Sequence, residues 1–143
     1  MVCYSPLSIR RPNGNGSGDR ITVPCGKCFA CLQKKRGEWS IRLKHELKYR
    51  TKAIFITMTY NDDNVPIKQS EDRFTLIVCK EDVQLFLKRL RKKLKNEIKY
   101  YLVSEYGGTT YRPHYHAIIY GLSYHDHQVI YDAWNKGNIK TLS

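Results

Sequence analysis

The sequence predicts an α+β fold: one antiparallel sheet with helices on one face, preceded by a cysteine-rich segment. Three observations carry this. Residues 53–60 (AIFITMTY) are a largely apolar run of the length and kind that forms a central strand. Residues 81–95 place Val83, Phe86, Leu87, Leu90 and Leu94 on one helical stripe. Residues 98–120 hold two strand-like runs joined through Gly107-Gly108, the mark of a hairpin.

Taken in order, residues 1–27 read as loop with short extended pieces, and 28–50 as a helix whose stripe is Leu32, Trp39, Leu43 and Leu47. Strand 53–60 follows, then a loop over 61–71 punctuated by Asn61-Asp62-Asp63-Asn64 and Pro66, and a short strand at 73–78. Helix 81–95 opens with Glu81 and Asp82, favourable at the positive end of a helix. After the hairpin come a helix near 125–135 and a last strand at 138–142. The order β-α-β-β-α-β matches a ferredoxin-like or RRM-like sheet. No internal repeat is present. The 143 residues allow one compact domain. Within it, 1–50 form a zinc-knuckle-like segment with its helix, and 51–143 form the main α+β core.

Lys and Arg total 25 against 13 acidic residues, a net charge of +12. That excess favours a polyanionic partner. No apolar run approaches the roughly 20 residues that span a bilayer, and no signal-peptide core opens the chain, so a soluble intracellular protein is expected. Lys88, Arg89, Arg91, Lys92, Lys93 and Lys95 line the polar side of helix 81–95. They read as a phosphate-tracking surface or as a solvated helix face. Eleven tyrosines, among them Tyr100, Tyr101, Tyr106, Tyr111 and Tyr115, offer core rings and base-stacking rings.

Cys25, Cys28 and Cys31 form a C-x2-C-x2-C run with Cys3 upstream. In a reducing compartment this spacing points to thiolate ligation of Zn²⁺, with the loop 12–19 bringing Cys3 back as fourth ligand. An iron–sulfur cluster and unligated packing thiols are the alternatives. Cys79 reads as a buried strand thiol without chemistry.

His114 and His116 stand two apart on a β-prone run, so their side chains share one face and Tyr115 takes the other. The hairpin can set Glu105 opposite them. Two imidazoles and one carboxylate, with the remaining positions left to water and phosphate, suit Mn²⁺ or Mg²⁺. The structural alternative is two half-exposed histidines and a solvated carboxylate.

Several motifs in order resemble the replication initiator proteins of small single-stranded DNA phages of the microvirus (gokushovirus) type, members of the HUH endonucleases. They are Val23-Pro24-Cys25-Gly26-Lys27-Cys28 with Cys31-Leu32; Trp39, Arg42-Leu43 and Glu46; Thr57-Met58-Thr59-Tyr60; and Phe86-Leu87-Lys88-Arg89-Leu90-Arg91. Ser104-Glu105-Tyr106-Gly107 and Arg112-Pro113-His114-Tyr115-His116 complete the set. The resemblance implies an HUH nuclease core in which Glu105, His114 and His116 hold Mn²⁺ or Mg²⁺ and Arg112 and the basic helix contact DNA. It implies rolling-circle initiation, with origin nicking and joining through a 5′-phosphotyrosine, in the host bacterial cytoplasm and alongside host replication proteins. In that family the attacking tyrosine follows on a helix after the histidine strand. Past His116 only Tyr120, Tyr124 and Tyr131 remain. Tyr131 resembles the helix before the last strand, so the nucleophile is expected beyond Ser143 and the chain reads as truncated, with Tyr131 the candidate inside it. Two other classes compete: a non-catalytic zinc-containing module that binds single-stranded nucleic acid, and a zinc hydrolase drawing on His125, Asp126 and His127.

Overall fold

Alternation along β3 (Ala53–Thr59) decides which way the sheet faces. Ile54, Ile56 and Met58 are buried, while Phe55, Thr57 and Thr59 look to the other side. The computed structural model describes residues 2–12, 18–50, 52–95 and 97–142. The chain divides into two compact units, Met1–His45 and Glu46–Ser143.

In the first unit, β1 (Leu7–Arg10) and β2 (Arg20–Val23) form an antiparallel ribbon, with Leu7 opposite Val23. Arg20 ties it by donating to the Ser8 hydroxyl at 2.9 Å and the Ser8 carbonyl at 2.6 Å. Residues 13–17, within the loop expected to return Cys3, lie outside the described residues. Helix α1 spans Phe29–Tyr49, close to the predicted 28–50. Its predicted core stripe needs correction: Leu32, Trp39 and Leu47 are exposed, and Ala30 is the buried residue. Basic and polar side chains surround the stripe, leaving α1 weakly amphipathic.

The second unit is an α+β layer. A four-stranded sheet has the order β6 (Lys99–Tyr106), β7 (Pro113–Tyr120), β3, β8 (Ile139–Leu142), every neighbour antiparallel. β3 and β6 therefore run the same way on either side of β7, with α2 (Lys80–Lys93) in the connection between them. From β3 and β7, Ile54, Ile56, Met58, Tyr115, Ala117 and Ile119 pack under Phe86, Leu87 and Leu90 of α2. Ile130, Ala133 and Trp134 of α3 (His127–Trp134) join the same cluster, so both helices cover one sheet face. Trp134 stands at the centre, its ring 5.1 Å from Tyr60 and 5.8 Å from Tyr115, and its indole N–H donates to the Thr59 carbonyl at 3.0 Å.

One polar chain runs through this core. The Asp82 carboxylate accepts from Tyr60 at 3.0 Å and pairs with the Lys136 ammonium at 3.2 Å. The Tyr60 and Tyr115 hydroxyls lie 3.1 Å apart, and Tyr115 also accepts from the Cys79 N–H at 2.7 Å. Burial, with the neighbouring Tyr115 hydroxyl and Asp82 carboxylate, pushes the Tyr60 phenol far up. The chain pins the start of α2 to the sheet. It also corrects the reading of Cys79, which is a half-buried residue at the N-cap of α2 rather than a strand thiol.

Gly137 allows β8 to dock. A Cβ there would collide with the Thr59 carbonyl and stand 2.6 Å from the Asn61 nitrogen, where Thr59 and Asn138 exchange backbone hydrogen bonds. The predicted loop 61–71 holds a further strand: β4 (Ile67–Ser70) pairs with β5 (Arg73–Leu76) in a separate ribbon turning at Glu71-Asp72. The helix expected near 125–135 starts with a 3₁₀ turn, Tyr124–Asp126, before α3.

Candidate metal centres

The register of β6 on β7 sets Glu105 directly opposite His114, and that of β3 on β7 sets Thr57 opposite His116. All four side chains lie on the sheet face away from the helices. One carboxylate oxygen, Glu105 Oε1, is 2.8 Å from His114 Nε2 and 2.8 Å from His116 Nε2.

The opposite ring nitrogens explain why both Nε2 atoms aim inward. His114 Nδ1 lies 3.2 Å from the Arg112 carbonyl oxygen, and His116 Nδ1 lies 2.9 Å from Thr57 Oγ1. With Nδ1–H donated backward, each Nε2 presents a lone pair to the carboxylate, the arrangement of metal-binding histidines with supporting partners. His114 sharpens the point. Both of its partners can only accept, so a neutral ring cannot satisfy both; a second proton or a metal ion has to stand between Nε2 and Glu105. The Phe55 ring lies against the His116 ring at 5.7 Å and 16° and fixes its plane. Hydrogen bonds from His116 and then His114 hold the Glu105 carboxyl below the usual carboxylate range. The imidazoles are half-buried and the carboxylate is exposed, so the donor set is convergent and open on one side. It fits a divalent ion that keeps further positions for other oxygens.

The second set lies in the first unit. The sulfurs of Cys3, Cys25, Cys28 and Cys31 lie within 4.8 Å of one another, all unbridged. The Cys25 N–H points at Cys3 Sγ and the Cys28 N–H at Cys25 Sγ, each at 3.3 Å, as backbone amides do around thiolates. Donation from the Tyr4 backbone, then Cys31, lowers the Cys28 thiol to about 6, and the Lys27 and Cys28 amides lower Cys25. The Gly26 amide favours the Cys31 thiolate too, but desolvation and three neighbouring sulfurs outweigh it and raise Cys31 to about 12. Four thiolates gathered this closely need a cation, and an all-cysteine set of four suits a structural metal.

The remaining predicted residues are not gathered with the histidines. α2 packs on the other sheet face, so Lys88, Lys92 and Lys95 are exposed on the far side of the layer. Arg91 lies over the Tyr100 ring at 5.6 Å, and Lys93 pairs with Asp132 at 3.5 Å. Arg89 donates to the Ala133 and Trp134 carbonyls at 2.7 and 3.2 Å, capping α3. Arg112 holds the Asp62 carboxylate at 2.6 Å and the Tyr60 carbonyl at 3.1 Å. Tyr131, 42% exposed, stands on α3, also across the sheet from the histidines. Tyr115 is core. Sequence reading missed Thr57 and Phe55; their alternation with Ile54, Ile56 and Met58 was the available signal.

No helix among the described residues is long and apolar enough to cross a membrane. No solved structure matches the chain. The chain is 31% identical to replication-associated protein VP4 of Bdellovibrio phage phiMH2K, over 98% of its own length and 52% of that protein's. It is 28% identical to replication-associated protein ORF4 of Chlamydia phage 1, over 69% of its own length and 24% of that protein's. The chain thus spans about half the length of the first relative and about a quarter of the second. Residues 53–143, which hold the whole four-stranded sheet and the Glu105–His114–His116 set, match the family model for replication-associated protein ORF2. The chain belongs to this replication-associated protein family.

Proposed function

We propose that this chain is the HUH-type core of a phage replication initiator, which nicks and rejoins single-stranded DNA at the viral origin in the host cytoplasm. The observation that carries the reading is the single Glu105 oxygen 2.8 Å from both histidine Nε2 atoms on an open sheet face. The strand order and directions around β7 support a ferredoxin-like fold for the core.

Glu105, His114 and His116 would hold Mn²⁺ or Mg²⁺, which when bound polarises a phosphodiester and offsets charge developing on its oxygens. Thr57, Phe55 and the Arg112 carbonyl hold the two imidazoles in the ligating orientation. The exposed side of the site leaves room for a phosphate of an unpaired strand. Exposed cations of α2, Lys88 and Lys92 among them, supply long-range attraction for that strand. Zn²⁺ at Cys3, Cys25, Cys28 and Cys31 is structural in this reading.

The attacking hydroxyl is that of a tyrosine outside these 143 residues, which takes the phosphoryl group and releases a 3′ hydroxyl that primes synthesis. Two placements support this. Tyr131 stands across the sheet from the site. Tyr101, on the site face of β6, is four residues and roughly 13 Å along the strand from Glu105. Host replication proteins are the further partners of the initiator.

The test is Mn²⁺-dependent binding of a labelled single-stranded oligonucleotide. Wild type should bind more tightly with Mn²⁺, and His114→Ala and His116→Ala should lose the Mn²⁺ increment while retaining the fold. Binding that ignores Mn²⁺ in all three proteins would overturn the nuclease reading in favour of a non-catalytic zinc-containing binding module.

A further inference from the structure

A groove of about 440 Å³ lies between β5 and the turn that joins β6 to β7, lined by Phe74, Thr75, Leu76, Tyr106, Thr110 and Tyr111. Three large rings are left in solvent here: Phe74 is 72% exposed, Tyr111 70% and Tyr106 46%. We propose that this groove seats an unpaired nucleobase of the strand whose phosphate reaches the Glu105–His114–His116 site. The inference rests on the reading of that site as one for single-stranded DNA.

The lining selects the occupant. It carries no charged side chain, so it suits neither a phosphate nor a cation. It offers aromatic faces for stacking and threonine and tyrosine hydroxyls for the edge of a base.

The walls are held in place. The Tyr106 hydroxyl accepts from the Val78 N–H at 3.2 Å, which fixes the ring. Tyr111 takes a left-handed backbone, φ 51°, unusual for an aromatic residue, and its N–H donates to the Gly107 carbonyl at 2.9 Å.

The groove also continues into the metal centre. Tyr106 follows Glu105 directly in the chain. At the other end, the Arg112 carbonyl accepts from the Gly107 N–H at 3.0 Å and faces His114 Nδ1 at 3.2 Å. One carbonyl oxygen therefore anchors both the groove turn and a ligand histidine. A base seated here would lie beside the phosphate at the metal.

The experiment compares a short oligothymidylate with an abasic strand of equal phosphate count, by fluorescence anisotropy at fixed salt with Mn²⁺. Wild type, Phe74→Ala, Tyr111→Ala and the double variant are titrated, and calorimetry gives each protein's Mn²⁺ affinity. Wild type should prefer the base-bearing strand. Each substitution should weaken that binding at least about fivefold, leave the abasic strand unchanged and leave Mn²⁺ binding intact. Both rings are exposed, so folding should survive, and thermal melting checks this. Equal binding of both strands by wild type, or undiminished affinity in the double variant, overturns the subsite alone. Failure of wild type to bind either strand overturns the DNA reading as well. Dimerisation that the double variant abolishes would assign the groove to a second copy instead and refute the proposal.

Discussion

Thr57→Val should weaken Mn²⁺ binding about tenfold without altering the fold. Valine keeps the shape of threonine and its strand preference, so the register of β3 on β7 should hold. What disappears is the hydroxyl 2.9 Å from His116 Nδ1. A neutral hydrogen bond contributes about 0.5–1.5 kcal/mol, a factor of roughly two to thirteen in affinity. Loss of a supporting partner behind a ligand histidine typically weakens metal binding about 10- to 100-fold. Because Phe55 still stacks on the His116 ring, the loss should fall where the two ranges meet. Titration calorimetry with Mn²⁺ measures it. Thr59→Val is the control: the Thr59 hydroxyl donates to the Asn138 carbonyl at 3.4 Å rather than to a histidine. Equal Mn²⁺ affinity in wild type and Thr57→Val, with both folded, would refute the view that this hydroxyl orients the ligand.

Cys28→Ser should abolish a tightly bound metal in the first unit and loosen it, because site-binding energy there is folding energy. Elemental analysis should give about one Zn²⁺ per wild-type chain and none in the variant; visible charge-transfer absorption would point to iron–sulfur. Asp82→Ala should lower stability by about 3 kcal/mol in denaturant titration, since it strands the Tyr60 hydroxyl and the half-buried Lys136 ammonium together. Gly137→Ala should detach β8 from β3, read as fast amide exchange at Asn138 and a loss of at least about 2 kcal/mol.

What could be read in advance followed from local periodicity. The apolar run at 53–60, the stripe of α2 and the shared face of His114 and His116 are properties of neighbouring residues, and each recurs in the structure. The partners of those residues were not legible. Thr57 meets His116 across 59 positions, and nothing near either announces the meeting. Asp82 looked like a helix-end charge, yet folding carries it into the core against Tyr60 and Lys136. Arg89 and Arg112 read as DNA cations, but their guanidinium groups bind carbonyls and a carboxylate within the fold. β4 was hidden because Ile67-Lys68-Gln69-Ser70 has one apolar residue and every position is exposed. The stripe of α1 misled because spacing alone says which residues align, never whether something covers them.

β7 carries two texts at once. Its odd positions, Tyr115, Ala117 and Ile119, build the core, and its even ones, His114 and His116, build the metal centre. An insertion or deletion of one residue between Tyr111 and Tyr120 would exchange them, turning imidazoles toward Trp134 and a phenol toward Glu105. Stability and chemistry would then fail together, in a single frame error. The strand should therefore tolerate substitution far better than length change. Drift in this lineage has room in the turn at Gly107–Thr110 and in the β4–β5 ribbon, but almost none in the count of residues from Pro113 to Tyr120.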